Sequence, residues 1–290
     1  PVFARHAIKL TGEIGLDFYL SLPDQKTPAD YPESYVTFTG NKIDQEKRYP
    51  LNKADVVSGY YEFTAFLSSI QMADKVTPVF HYTLDGREKT VTGAPYSVED
   101  YLIWALGQGE EGLGPWLYEI ARRLADYGHY AQIYLARYNN WSIGKDYAAM
   151  NTYVTREYDY NVVKKAAESG ALRRTDLPPG IQSLTYRLVF GSQLQIDFRA
   201  DLNEGGSISK TALLDGEPVP VVSSGKYYMI SVPNIYASDL TYTWTMELDG
   251  CSVYVSPMSY IYEMIGKKSV KKDMKDLLSA LYYFSLACEY

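Results

Sequence analysis

Residues 14–22 read IGLDFYLSL and residues 194–202 read LQIDFRADL, so an Asp-Phe-centred pattern occurs twice in the chain. In both stretches every second residue is apolar, from Ile14 to Leu22 and from Leu194 onward. A period of two is typical of a β-strand that buries one face and exposes the other. The two stretches therefore predict half-buried strands, one in each half of the chain.

The segments that follow these strands also correspond to each other. FLSSIQMADKVTPVFHYTLDG at 66–86 parallels SVPNIYASDLTYTWTMELDG at 231–250, and both end in Leu-Asp-Gly. Asp-Gly between extended runs predicts a tight hairpin, because type I′ turns require positive φ. A third Leu-Asp-Gly at 214–216 predicts another hairpin. The alternation predicts inward-facing side chains at these positions: Val76, Pro78, Phe80, Tyr82, Leu84, Leu240, Tyr242, Trp244, Met246 and Leu248.

Each strand region is followed by two segments with helical spacing. SVEDYLIWAL at 97–106 begins with a Ser cap and acidic first-turn residues, which are typical of a helix start. SPMSYIYEMI at 256–265 places Pro257 in the first helical position, where its missing N–H costs little. Second helices are predicted over 117–138 and 274–290. The order of strands and then two helices thus occurs twice.

This order predicts an α+β fold with two tandem copies of an antiparallel, β-sandwich-like sheet, each followed by two packed helices. The first copy is predicted over residues 1–138 and the second over 183–290. A structured connector over 139–182 joins them, and 160–170 within it reads as a short helix closed by glycine. The two copies indicate an internal duplication.

Composition excludes several classes of partner. The chain has 290 residues and a formal net charge of −7, whereas nucleic acids and anionic membranes call for a concentrated basic surface. No apolar run approaches the roughly 20 residues that span a bilayer, so membrane insertion is not expected. The sequence begins at Pro1 without Met or a signal peptide, and we expect a region of a longer, processed protein. Cys251 and Cys288 are too few for a disulfide scaffold or a cysteine-based metal site, although they could form one bridge.

No local motif predicts catalysis, a cofactor or a metal site. GQGEEG at 107–112 matches a dinucleotide fingerprint by letter, but it follows a helix and carries two carboxylates that would repel phosphate. We interpret it as a flexible loop between helices. Asp17 and Asp197 could suggest the acid pair of a glycosidase, but their equivalent positions favour a structural role in each strand. The three histidines, His6, His81 and His129, belong to no metal or hydrolase motif.

Four stretches together carry a resemblance to a known kind of module: GLDFYLSLP, GYYEFTAFLSSIQMAD, YSVEDYL and LADYGHYAQIYL. They resemble a module near the C-termini of large secreted and surface proteins of Gram-positive gut bacteria. There it accompanies leucine-rich repeats, bacterial Ig-like domains, dockerins or hydrolase domains. The resemblance covers nearly the whole chain and implies an extracellular or cell-surface location, neighbouring domains in a larger parent protein, and an accessory role. It implies no catalytic residues.

The candidate ligand site is aromatic. The stretch 138–160 holds tyrosines and a tryptophan among Asn, Asp and Arg, and such rings can stack on sugars or anchor a protein interface. They can equally pack the connector against the two copies. If the chain binds a ligand, Trp141 with Tyr138 and Tyr147 is the predicted site.

The sequence leaves three functions open. The first is a non-catalytic secreted or cell-surface module for adhesion, with a glycan or a surface protein as its partner. The second is a structural spacer that presents neighbouring domains. The third, less favoured, is a hydrolase, for which the sequence supplies no motif.

Overall fold

A computed structural model describes residues 1–10, 13–41, 43–139, 154–155, 157–191 and 193–289, with the backbone alone for 136–139. Within these residues the chain is mixed α/β, with four antiparallel sheets and five α-helices. It forms two compact units, Pro1–Val154 and Thr155–Tyr290. The boundary between the units lies inside the predicted connector, 139–182.

The strands of the first unit precede its two helices. Their bounds are β1 Val2–Lys9, β2 Gly15–Ser21, β3 Tyr35–Thr39, β4 Tyr49–Pro50, β5 Asp55–Val57, β6 Tyr60–Phe66, β7 Thr77–Leu84, β8 Arg87–Thr92, α1 Val98–Leu113 and α2 Pro115–Asn139. One sheet has the strand order β1-β2-β6-β5 and the other β4-β3-β7-β8. Phe18 of the first sheet and Phe38 of the second are both buried, with ring centroids 5.7 Å apart. This contact between two sheets is compatible with a β-sandwich.

The second unit begins with a short helix and ends with two more. Its elements are α3 Tyr160–Ala167, β9 Arg173–Arg174, β10 Ile181–Phe190, β11 Leu194–Leu202, β12 Thr211–Leu214, β13 Glu217–Pro220, β14 Val222–Ser224, β15 Tyr227–Ile235, β16 Trp244–Leu248, β17 Cys251–Val255, α4 Pro257–Gly266 and α5 Lys272–Cys288. One sheet has the order β10-β11-β15-β14 and the other β13-β12-β16-β17-β9. In each unit the strand with the Asp-Phe pattern is the second strand of its sheet, next to the strand that precedes it in the chain.

The predicted strands and hairpins are present. β2 lies within residues 14–22 as Gly15–Ser21, and residues 194–202 form β11. All three Asp-Gly pairs form two-residue turns with positive φ at both positions, for example 52° at Asp85 and 70° at Gly86. The turn that joins β16 to β17 has φ of 50° at Asp249 and 87° at Gly250. These are the backbone conformations that type I′ hairpins require.

The predicted helix starts are confirmed. Ser97 caps α1 by accepting a 3.1 Å hydrogen bond from the backbone N–H of Asp100. Ser256 caps α4 in the same manner through the backbone N–H of Ser259 at 3.3 Å, with Pro257 in the first turn. Each cap satisfies a backbone donor that a helix leaves unpaired in its first turn.

The loop predicted at 107–112 is reduced to a break at Gly109, because helical residues of α1 lie on both sides of it up to Leu113. Within that stretch Gly109 alone leaves helical geometry, with φ of 69°. The helix closes at Gly114 instead, whose φ is 80° and whose N–H bonds the carbonyl of Glu110 at 2.8 Å. A glycine just past the helix and a proline just after it form the actual stop signal.

Six of the ten predicted inward-facing side chains are buried: Val76, Pro78, Phe80, Leu240, Met246 and Leu248. Phe80 and Met246 are fully buried, whereas Leu84 is 48% exposed and Tyr242 is 53% exposed. Trp244, predicted to be largely buried, is half-buried. Leu84 is the last residue of β7, Trp244 is the first of β16, and Tyr242 precedes that strand, so all three lie at or beyond a strand end. Such a position does not by itself expose a side chain, because Leu248 at the other end of β16 is buried.

The bridge that the sequence would allow between Cys251 and Cys288 is not formed. Both cysteines lie in the described part of the chain and do not form a disulfide with each other. The Cys251 thiol instead lies 3.8 Å from the carbonyl oxygen of Thr175. None of the helices in the described residues is long and apolar enough to cross a membrane.

Candidate functional site

The predicted site lies outside what the structure describes. Trp141 and Tyr147 are outside the described residues, as is the side chain of Tyr138 in α2. Tyr158 and Tyr160 of the same stretch lie in the second unit, and the structure describes both side chains. Tyr160 donates a 2.6 Å hydrogen bond to Asp276, and Tyr158 stacks on Tyr283 with centroids 5.6 Å apart. These two rings therefore pack within the second unit.

The first unit contains a groove with a volume of about 690 Å³. We call it the Tyr35 groove. Its most buried lining residues are Tyr31 and Ser34, which are 6% and 4% exposed, and Tyr35 beside them is half-buried. Its exposed lining side chains include Glu33, Arg48, Asn52 and Lys53. This volume is within the range of ligand sites, roughly 300–1,000 Å³.

Local capping fixes the loop on one side of the groove. Thr27 and Asp30 cap a turn whose first residue is Pro28, with the Thr27 N–H 2.8 Å from the Asp30 carboxylate. Lys26 adds a 3.0 Å ion pair to the same carboxylate. Pro28 has a preset φ, so this wall has little conformational freedom before any ligand binds.

Buried backbone contacts fix the other side of the groove. Ser34 Oγ donates a 2.7 Å hydrogen bond to the carbonyl of Tyr31, and the Ser34 carbonyl accepts one from Leu51 N–H at 3.0 Å. Leu51 is 1% exposed, and the turn it begins carries Asn52 and Lys53 into the groove lining. The groove is therefore anchored in the core of the first unit.

Three side chains form a stack along one side of the groove. Tyr35 and His81 face each other across β3 and β7, with ring centroids 4.7 Å apart and planes 13° from parallel. The guanidinium of Arg48 lies 4.5 Å from the centroid of the Tyr35 ring, a cation–π distance. Thr37 Oγ1 lies 2.9 Å from His81 Nε2 and fixes the ring orientation. Arg48 therefore has an aromatic contact within the first unit before any ligand binds.

The charge of the groove depends on its charged lining side chains and on the state of His81, which lies beside Tyr35. Burial and the nearby Arg48 cation lower the pKa of His81, with Glu88 opposing them, so the imidazole is neutral at neutral pH. Arg48 and Lys53 remain as cations in the lining, against the single carboxylate of Glu33. The lining therefore carries a net positive charge, although the whole chain carries −7.

Sequence reasoning missed this groove. Its lining residues come from 28–35 and 48–53, and no single motif spans the two segments. A signal was present in Pro28, Pro32 and Pro50, which stiffen two loops on either side of β3. Only the pairing of β3 with β4 brings the loops together, and a two-residue strand leaves no readable period.

The two aspartates of the repeated pattern, Asp17 and Asp197, are both buried but have different hydrogen-bond partners. Asp197 is 4% exposed and accepts hydrogen bonds from Arg187, Gln195 and Ser231, with the Arg187 Nη2 at 2.9 Å. Burial alone would raise the pKa of Asp197, but these donors outweigh it and lower the pKa. Asp17 is 6% exposed, accepts a 2.6 Å hydrogen bond from Thr64, and has a pKa raised by burial.

The prediction that one face of each strand is exposed is wrong at these two aspartates. Both carboxylates lie on the outer face of the sheet, yet both are buried under cross-strand neighbours. Arg187 covers Asp197, and next to Asp17 the guanidinium of Arg5 lies 4.2 Å over the Tyr19 ring. A smaller concavity of about 220 Å³ lies over Asp197, but its two arginines, Arg187 and Arg199, are each paired with an aspartate.

The comparisons with known proteins add no relative. No protein-family model matches the chain, and no curated protein matches it.

Proposed function

We propose that the protein is a non-catalytic secreted or cell-surface accessory module that binds a glycan in the Tyr35 groove. The observation that carries this proposal is the groove itself, which is preformed by one capped turn and by buried hydrogen bonds and combines aromatic, apolar and charged side chains. Glycan sites use the same combination, because sugars offer apolar C–H faces and many hydroxyl groups. An adhesive role follows from binding of this kind.

The groove favours binding over hydrolysis. Glycoside hydrolysis uses two carboxyl groups about 5–10 Å apart. Among the described residues that line the groove, Glu33 is the sole carboxylate, and it is exposed. Asp17 and Asp197, the acid pair considered from sequence, belong to different units and each is engaged in its own sheet.

The setting of the module is part of the proposal. The resemblance to C-terminal modules of secreted and surface proteins supports an extracellular location and neighbouring domains in a larger parent protein. The strand orders β1-β2-β6-β5 and β10-β11-β15-β14 support two tandem copies of one sheet-plus-helices unit. Asp-Gly hairpins and Ser-capped helices at corresponding places in the two units add to that support.

Two alternatives compete with a glycan in the groove. A surface protein could bind the aromatic stretch at Trp141, Tyr138 and Tyr147, which the structure leaves open. A pure spacer would bind nothing specific and would only present its neighbours. The exposed charged side chains of the groove favour a ligand over a spacer, because a spacer needs no preformed concave site.

The test is a glycan-array screen followed by calorimetric titration of the best ligand. Asn52→Trp introduces an indole into the groove at an exposed position, and we expect it to weaken binding at least tenfold. Lys89→Trp is the matched control, because Lys89 is exposed on β8 and does not line the groove. Equal loss of binding in both variants would contradict the groove as the site. A chain that binds no glycan would establish the spacer or the protein-binding alternative.

A further inference from the structure

We infer that the Tyr35 groove recognises a carboxylate group on an acidic glycan, and that Arg48 is the residue that binds this carboxylate. This inference rests on the proposed function and specifies its ligand. The observation that carries it is the position of Arg48, whose guanidinium carbon lies 4.5 Å from the centroid of the Tyr35 ring while its side chain is exposed. An arginine that contacts an aromatic ring through the face of its guanidinium keeps its N–H donors for a second partner.

Neither cation of the groove is neutralised within the described part of the chain. Arg48 and Lys53 form no ion pair there, whereas Lys26, Arg187 and Arg199 each bind an aspartate. In an acidic protein with 35 Asp and Glu residues, a groove that brings together two such cations is suited to an anion. The exposed Asn52 amide next to Lys53 adds donors and an acceptor for hydroxyl groups.

The shape of the arginine selects a carboxylate. A guanidinium presents parallel N–H donors that match the two oxygens of a carboxylate in a bidentate pair. Tyr35 and His81 restrict the Arg48 side chain before binding, so less conformational entropy is lost when the pair forms. Pro32 and Pro50, which are exposed in the lining, supply apolar surface for the C–H face of the sugar ring.

The strand edge favours a glycan over an acidic peptide. Peptides that bind sheets add a strand to an exposed edge and bond it through their main chain. The edge strand here, β4, has only two residues and ends at Pro50, which has no N–H to donate. The next N–H, that of Leu51, already bonds Ser34. Recognition in this groove therefore depends on side chains, which suits the carboxylate and hydroxyls of a uronic acid.

The test uses pairs of probes that differ at the carboxyl group alone: oligomers of galacturonate, glucuronate and mannuronate, each as the free acid and as the uncharged methyl ester. We expect at least one free acid to bind about tenfold to a hundredfold more tightly than its ester, the range for a charge-assisted hydrogen bond. Arg48→Gln should remove this preference, and Arg48→Lys should retain only part of it. Arg87→Gln is the matched control, because Arg87 is an exposed arginine on β8 outside the groove lining.

The outcomes separate the two proposals. Acid and ester that bind equally well, in the parent and in Arg48→Gln, would overturn the carboxylate inference and leave glycan binding intact. A preference for the acid that survives in Arg48→Gln would also overturn it. A chain that binds no uronate probe but binds neutral glycans would overturn the inference alone. A chain that binds no glycan at all would overturn the proposed function as well. Thermal midpoints of the variants, measured in parallel, exclude unfolding as the cause.

Discussion

Arg187 and Asp197 face each other across strands β10 and β11, with Arg187 Nη2 2.9 Å from Asp197 Oδ2. In the first unit, Asp17 instead faces Ala7 across β1 and β2 and accepts a hydrogen bond from Thr64 on the other side. Two aspartates in similar strands therefore have opposite environments. One carboxylate has a cation beside it and a lowered pKa, and the other is buried with a raised pKa.

We expect Asp197→Asn to destabilise the protein by about 1–2 kcal/mol at pH 7, because the variant loses a charged acceptor while Arg187 remains largely exposed to water. The pKa of Asp197 is lowered in the folded state, so its contribution is present above the unfolded pKa and is lost as the pH falls through the folded pKa. In urea unfolding from pH 7 down to pH 3, the difference in free energy of unfolding between variant and parent should become smaller. A constant difference would contradict the pKa assignment.

Asp17→Asn should have the opposite effect. Burial raises the pKa of Asp17, so its ionisation disfavours the folded state as the pH rises from the unfolded pKa through the folded pKa. The Asn side chain keeps an oxygen for the Thr64 hydroxyl and carries no charge. We expect the variant to be more stable than the parent at pH 7 and equally stable below the unfolded pKa. A variant less stable at pH 7 would show that the Asp17 charge is needed.

Gly107 and Gly109 lie two residues apart in α1 and should respond oppositely to alanine. At both positions the space for a Cβ is open, but Gly109 has φ of 69° and Gly107 does not have a positive φ. We expect Gly107→Ala to stabilise the protein by about 0.5–1 kcal/mol, because alanine loses less entropy in a helix. Gly109→Ala should destabilise it by about 1–3 kcal/mol, because φ of 69° with ψ of 175° is a backbone conformation that essentially only glycine adopts. Unfolding curves of the two variants and the parent check this. A change in the free energy of unfolding with the same sign in both variants would contradict the helix interruption at Gly109.

Met246 and Trp244 allow a similar comparison within β16. Met246 is fully buried, and Met246→Ala should cost roughly 2–5 kcal/mol, as core truncations do. Trp244 is half-buried at the start of the strand, so Trp244→Ala should cost less than Met246→Ala, although tryptophan has the larger side chain. Denaturation midpoints of the two variants give the ranking. A larger loss for Trp244→Ala would restore the sequence-based prediction that this ring belongs to the core.

Local sequence patterns predicted what depends on local backbone. The alternation in 194–202 identified β11, Asp85-Gly86 identified a hairpin, and Ser97 identified the start of α1. The patterns did not predict burial on the outer face of the sheet, because Asp197 is covered by Arg187 from another strand. They also missed the Tyr35 groove, whose lining is assembled by a two-residue strand pairing. Contacts between distant segments determined both.

The two candidate sites can be distinguished with one ligand. If the Tyr35 groove is the site, Asn52→Trp should weaken binding at least tenfold, and Trp141→Ala should leave the dissociation constant unchanged. If the aromatic stretch is the site, Trp141→Ala should abolish binding, because a buried aromatic anchor supplies a large share of contact energy. Titration of both variants with the same glycan or surface protein decides between the sites, and the thermal midpoint of Trp141→Ala is measured alongside. A large fall in that midpoint would assign Trp141 to packing, and unchanged binding in both variants would exclude both sites for that ligand.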